Sequence, residues 1–329
     1  MKPYKLVLLT FLMFLLTCCN HKAPEQKSAS NKPKEQVVVF ELSGMDDVIV
    51  KKDIPYLNIA DSTLRMDIYY PPNFDFQRKI PAIIIVYGCT NEGQVKLTGN
   101  QFRNWSVHIS LCKIIAASGM AAIVYETVDP ENDLISLAKY IHSNQDKLLI
   151  DKNNIGAFTC SSNTPTAISN ILNTSSNIFK CAVVYYGIFL TQDFEYLPQI
   201  DSISQKMGFK NPRLNEPKNW KKDVPLLIVR AGLDDDPYVT HSLLNFYNNA
   251  INQNLPVTLI NYPNGLHGFD FYNDNDTTRM IIKSTLDFWK FNLKIKTATT
   301  VGIVNCLRTS ADVVGSVRRS RQAGQLCNR

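Results

Sequence analysis

The chain has 329 residues, 45% of them hydrophobic, enough for one large core of about 250 residues or for two smaller ones. Its formal charge of +6 resides wholly at the ends: Lys2 and Lys5 in residues 1–19, and five arginines against Asp312 in residues 297–329, leaving 28 basic and 28 acidic residues between them. A neutral body has no long-range field to gather phosphates, so the composition argues against a nucleic-acid partner.

Lys2 and Lys5 precede an apolar run over residues 6–16 that is too short to span a bilayer, the pattern of a cleavable export signal. Leu16-Thr17-Cys18-Cys19 resembles the lipobox of bacterial lipoproteins, in which the cysteine after a Leu and two small residues receives the lipid. Cys19 fits best, with Cys18 as the alternative, and an ordinary secretory peptide is the competing reading. Residues 20–36 are polar and read as a disordered tether. The expectation is a bacterial envelope protein, periplasmic or surface-facing and held to the membrane by a lipid anchor.

Residues 49–70 alternate apolar and polar positions around Ala60-Asp61-Ser62-Thr63, which predicts an antiparallel hairpin. Continuous apolar runs then occur at 82–87, 120–125, 155–159, 181–186, 225–229 and 256–261, the signature of strands buried on both faces. Helical patterns fall between them at 102–117, 133–144, 164–173, 241–252 and 278–291. Such alternation predicts an α/β fold with a mainly parallel central sheet and helices on both faces. Residues 190–223 interrupt the rhythm as a lid or as an irregular insertion. The domain is expected over 37–296, and 297–329 read as a basic C-terminal appendage, disordered or anchoring. Cys89, Cys112, Cys160 and Cys181 are isolated in the sequence and read as reduced, mostly buried thiols. No spacing suggests a metal site and no cofactor is expected.

In a parallel sheet, function collects where the strands end. Three strand exits carry reactive groups. The run 155–159 enters Cys160-Ser161-Ser162-Asn163 and then a helix at Thr164-Pro165; a serine on such a turn is held above the sheet beside a helix N-terminus, although Ser161, Ser162 and Thr164 are equally readable as N-cap residues. The run 225–229 leads to Asp234-Asp235-Asp236, either a solvated loop or a carboxylate folding back onto an imidazole. The last strand leads to His267 on a glycine-flanked loop; His21, His108, His142 and His241 leave no strand. The order Ser, acid, His is the order of the α/β-hydrolase fold.

Over residues 49–293 the chain resembles an α/β-hydrolase of the esterase and dienelactone-hydrolase-like group. The resemblance is carried by Leu64-Arg65-Met66-Asp67-Ile68-Tyr69-Tyr70-Pro71-Pro72, by Asp151-Lys152-Asn153-Asn154-Ile155-Gly156, by Arg230-Ala231-Gly232-Leu233-Asp234, and by His267-Gly268-Phe269. It implies Ser161 as nucleophile, one residue beyond Cys160, with His267 as general base and Asp234 orienting that base; Asp235 is the alternative acid. Two departures stand out. The Gly-x-Ser-x-Gly of the family is Thr159-Cys160-Ser161-Ser162-Asn163 here, and the His-Gly-Gly-Gly of many esterases is Tyr87-Gly88-Cys89-Thr90. Because an oxyanion hole uses backbone N–H groups, Cys89 and Ser162 are expected to supply it.

The expected activity is a carboxylesterase cleaving small ester substrates through an acyl-enzyme. A prolyl-oligopeptidase-like peptidase would share the triad but carry a propeller domain, for which no sequence stands before residue 49. A non-catalytic envelope lipoprotein retaining the fold is the reading from a different class. Substrate identity and oligomeric state have no readable signal.

Overall fold

The computed structural model describes residues 36–60, 62–173, 178–192, 204, 206 and 208–295. The chain divides into two units, one ending at Leu293 and one from Lys294 to Arg329. The export signal with Cys18 and Cys19, most of the tether, part of the expected lid and the C-terminal appendage lie outside the described residues. Among the described residues no helix is long and apolar enough to cross a membrane.

Eight strands form one sheet: β1 (Ile49–Ile59), β2 (Ser62–Tyr70), β3 (Ile80–Ile85), β4 (Ala121–Tyr125), β5 (Ile150–Cys160), β6 (Cys181–Tyr185), β7 (Leu226–Ala231) and β8 (Val257–Tyr262). Their order is β1-β2-β4-β3-β5-β6-β7-β8. The β1–β2 hairpin and the β2–β4 pairing are antiparallel, and every pairing from β4 to β8 is parallel. The expected architecture is therefore present. After β3 the chain first lays β4 on one side and then returns to lay β5 on the other, so the carboxyl ends of β3 and β5 flank a topological switch point, where open α/β sheets leave a crevice.

The central strands are apolar throughout because both faces are covered; Ile83, Ile84, Ala157, Val183 and Val184 are fully buried. The run at 256–261 departs from expectation. It forms β8, which pairs only with β7 at the sheet edge, and of its residues only Tyr262 is buried.

The described helices are α1 (Asn91–Thr98), α2 (Ser106–Ala117), α3 (Pro130–Ser143), α4 (Gln145–Leu148), α5 (Thr164–Leu172), α6 (Pro237–Asn252), α7 (Phe269–Tyr272) and α8 (Asp276–Asn292). Three were not expected: α1, α4 and α7. Helix α6 begins four residues before the predicted start because Asp236 accepts a hydrogen bond from the Tyr238 amide as N-cap, with Pro237 in the first turn, an arrangement that pre-organises a helix start. Trp289 of α8 is fully buried, and truncating such a side chain to alanine costs about 3–5 kcal/mol. Arg103 joins the hairpin to the sheet through Asp67 at 2.6 Å, Glu126 at 2.6 Å and Asp53 at 3.0 Å.

Candidate active site

Ser161 stands at the exit of β5 in a single 3-10 turn (Ser161–Asn163) that runs directly into α5. Its φ of +52° is the left-handed region, which costs a residue with a Cβ about 1–2 kcal/mol. The turn imposes that value, and the side chain is thereby held out of the sheet. Ser161 Oγ lies 2.9 Å from His267 Nε2, and His267 Nδ1 lies 2.6 Å from Asp234 Oδ2. An ionised carboxylate can only accept, so Nδ1 carries the imidazole proton and donates to Asp234, leaving Nε2 to accept from the serine hydroxyl. The three residues expected from separate strand exits are thus brought into one hydrogen-bonded line.

The carboxylates that follow β7 divide their tasks. The Asp234 side chain is fully buried, and its second oxygen accepts the Asp236 amide at 3.2 Å. Asp236 caps α6; burial raises its carboxyl, and the neighbouring Asp234 adds to this. Asp235, the alternative acid, is exposed, and the carboxylate that meets the imidazole is that of Asp234.

Cys160 and Cys89 are both free thiols, and burial pushes each up to about 12. A thiol held that high carries no useful thiolate near neutrality, which leaves Ser161, one residue on, as the group that faces His267. Among the described residues no group of His, Cys, Asp and Glu is arranged to hold a metal ion.

The loop after β3 approaches the Ser161–Asn163 turn closely. The Gly88 amide donates to Asn163 Oδ1 at 2.7 Å. A Cβ at Gly88 would lie 2.7 Å from Asn163 Cα and 2.9 Å from the Ser162 carbonyl oxygen, so only glycine permits this approach. Gly88 thus lets the loop reach the backbone of the turn, and the Asn163 side chain, which stands where the family has its second glycine, ties the two together. Cys89 and Ser162, the expected oxyanion-hole donors, sit on these two adjoining segments. Beneath the loop, Tyr87 stacks on Phe102 with ring centroids 3.6 Å apart.

Two buried groups at the site were not anticipated. The Tyr186 hydroxyl donates to Asp270 Oδ1 at 2.6 Å, and the Tyr186 ring packs on the His267 ring at 4.6 Å between centroids. Asp270 is 3% exposed; burial raises its carboxyl to about 6, against the opposing pull of the Tyr186 hydroxyl. The Cys160 thiol belongs to the same cluster, beside Tyr186 and Asn163. The signal was present in part: Tyr186 directly follows β6, and Asp270 follows His267 by three residues.

The model of the prolyl oligopeptidase family matches residues 127–296, a span that contains Ser161, Asp234 and His267. No curated protein sequence matches the chain. Solved structures with the same architecture include the native esterase 2 of the planctomycete Thermogutta terrifontis, 16% identical, covering 76% of this chain and 93% of that one with a TM-score of 0.56. The same esterase phosphonylated by sarin is 16% identical over 76% of this chain and 96% of that one, with a TM-score of 0.57. MGS-M1, an α/β-hydrolase enzyme from a Medee basin deep-sea metagenome library, is 14% identical over 76% and 99% with a TM-score of 0.53. At these identities the likeness shows the α/β-hydrolase fold. Of the two hydrolase readings of the sequence, the family match falls on the one placed second. With an eight-stranded hydrolase sheet and a family match across more than half its length, the chain is a serine-type hydrolase that belongs to the prolyl oligopeptidase family.

Proposed function

We propose that the protein is a carboxylesterase acting on small ester substrates through an acyl-enzyme at Ser161. The observation that carries this reading is the continuous Ser161–His267–Asp234 hydrogen-bonded line at a strained strand-to-helix turn. A serine hydroxyl is a weak nucleophile at neutral pH. As Oγ attacks the ester carbonyl, its proton passes to His267 Nε2; the carbonyl oxygen takes the negative charge and is met by the amides of Cys89 and Ser162. His267 then gives the proton to the leaving alcohol, and the acyl-serine remains. Water repeats the sequence: Nε2 removes its proton, the hydroxide attacks the acyl carbon, and Ser161 leaves reprotonated. Asp234 keeps Nδ1 protonated and stabilises the imidazolium.

The esterases among the similar structures support ester substrates, and the family match supports peptide bonds as the second reading. The discriminating assay offers short-chain nitrophenyl esters beside peptide substrates. Ser161→Ala is expected to abolish fluorophosphonate labelling and to lower kcat for the ester on the order of 10⁶-fold. Labelling that survives the substitution would overturn the assignment of Ser161, and turnover of peptides in preference to esters would move the protein to the second reading. Export and lipid attachment at Cys19, or at Cys18, complete the proposal. Mass spectrometry of the mature N-terminus tests them, and an unlipidated terminus cleaved elsewhere would overturn the anchor.

A further inference from the structure

The loop that would hold half of the oxyanion hole is capped locally at Thr90, but its outer side depends on a distant segment. It is clamped from outside by the far arm of the 190–223 insertion. Cys89 and Phe209 face each other as an isolated antiparallel bridge. The Lys210 amide donates to the Gly88 carbonyl at 2.8 Å, and the Thr90 amide donates to the Gly208 carbonyl at 3.2 Å. In a pair closed in this way the flanking residues exchange the hydrogen bonds, and the facing residues turn their own N–H groups away from the partner strand. The strap therefore fixes Cys89 on both sides without consuming its amide.

The strap is itself anchored. Phe209 is buried, and its amide donates to the Ser204 carbonyl at 2.9 Å. The Lys210 carbonyl accepts the Thr166 hydroxyl of α5 at 3.4 Å. Further along, the Leu214 amide donates to the Leu190 carbonyl at 2.8 Å, and Asn173 Nδ2 donates to the Arg213 carbonyl at 2.9 Å. These attachments tie the strap to the helix that carries the nucleophile turn and to the exit of β6. Gly208 sits at φ +77°, and a Cβ there would lie 2.5 Å from Thr90 Oγ1 and 3.2 Å from Thr90 Cγ2. Thr90 in turn caps α1 through the Gly93 amide at 3.1 Å. A side chain at position 208 would displace the Thr90 side chain from its cap and would be strained by the left-handed backbone as well.

We propose that residues 208–210 are a positioning strap for the oxyanion hole, with Gly208 as the positioning residue that sets the place of the Cys89 amide. This rests on the Ser161 hydrolase reading. Neither Gly208 nor Phe209 touches the reacting atoms; they act by holding a donor where charge develops in the transition state, so their loss is expected in kcat and not in KM.

The test compares full-chain wild type, Gly208→Ala, Thr90→Ala and the double variant on a short-chain nitrophenyl ester, with active sites counted by fluorophosphonate titration. Gly208→Ala is expected to lower kcat per titrated site roughly 10- to 100-fold, with KM within about threefold. Thr90→Ala alone is expected to leave kcat within about threefold, and adding it to Gly208→Ala removes the clashing side chain but not the left-handed backbone strain, so kcat is expected to recover only in part. A Gly208→Ala enzyme that is merely less heat-stable but turns over at the wild-type rate per site would overturn the strap. Should Gly208→Ala fail to fold, Phe209→Ala leaves both strap hydrogen bonds available and removes the buried ring. It is expected to show the same kcat-selective loss, and an unchanged kcat would overturn the proposal. Failure of the underlying reading looks different: wild type itself would then not be labelled at Ser161.

Discussion

The turn after β5 and the loop after β3 meet at the same crevice, and both depart from the esterase glycine pattern, the turn by lacking its two glycines and the loop by keeping only Gly88, yet they are held in different ways. The nucleophile turn is determined locally. One strand end, one 3-10 turn and one helix start force Ser161 to φ +52°, and the cost is met within a dozen residues of chain. The β3 loop has only the Thr90 cap of α1 as local support. It borrows Asn163 from the facing turn and the strap at 208–210 from a segment more than a hundred residues away. A nucleophile must reach one atom and tolerates a single strained residue. An oxyanion donor must point at an oxygen that exists only in the transition state, so its loop needs rigid support.

The comparison breaks first at Gly88. Gly88→Ala drives a Cβ into backbone atoms of Asn163 and Ser162, so no side-chain change at 163 relieves it. The expected result is a fall in kcat on the order of 10²-fold in steady-state ester hydrolysis, with no rescue by Asn163→Gly. A rescue would show that the clash is carried by the Asn163 side chain and that the two segments are less tightly apposed.

A smaller effect sharpens the same point. Asn163→Gly restores the residue that the family pattern carries but removes the acceptor of the Gly88 amide. Losing such a bond to a part-buried amide is worth about 1–2 kcal/mol, so kcat is expected to drop about tenfold, and faster turnover in the variant would mean that the loop does not depend on Asn163.

The smallest effect on turnover is expected beneath the nucleophile turn, at Asp270. With its carboxyl raised to about 6 in the folded protein and near 4 when unfolded, Asp270 favours the fold below pH 4. That contribution is lost as pH rises through 6, where a buried charge must be kept. For a group this buried the change is worth about 3 kcal/mol. Asp270→Asn can still accept from Tyr186 and carries no charge. Its unfolding free energy relative to wild type is therefore expected to improve by about that amount between pH 4 and pH 8 in denaturant titrations, with turnover changed less than about threefold at pH 8. A difference between the two proteins that stays flat with pH would show that Asp270 does not titrate in this range.

Much of this architecture was legible in the chain. Apolar runs bounded by turns gave β3 to β7, because strands covered on both faces have no polar side to blur them. The edge strand β8 was read with them, since its six residues are also mostly apolar and only the sheet order reveals its open side. Helix α7, four residues long, and the start of α6 at Asp236-Pro237 escaped because neither has apolar periodicity. At the site, Ser161, Asp234 and His267 were legible because each follows a strand and the chain order of the three is fixed by the fold.

The sequence by itself thus determined the strand and helix alternation, the strand exits and the identity of the three residues that line up across them, because each of these is written in a local pattern a few residues long. Only the tertiary structure decided which of Asp234 and Asp235 meets the imidazole, that Asn163 serves Gly88, that Tyr186 and Asp270 pack beneath His267, and that Gly208 closes on Thr90. Those choices depend on contacts between segments far apart in the chain. They are settled by close approaches between those segments, and no local pattern of residues encodes them.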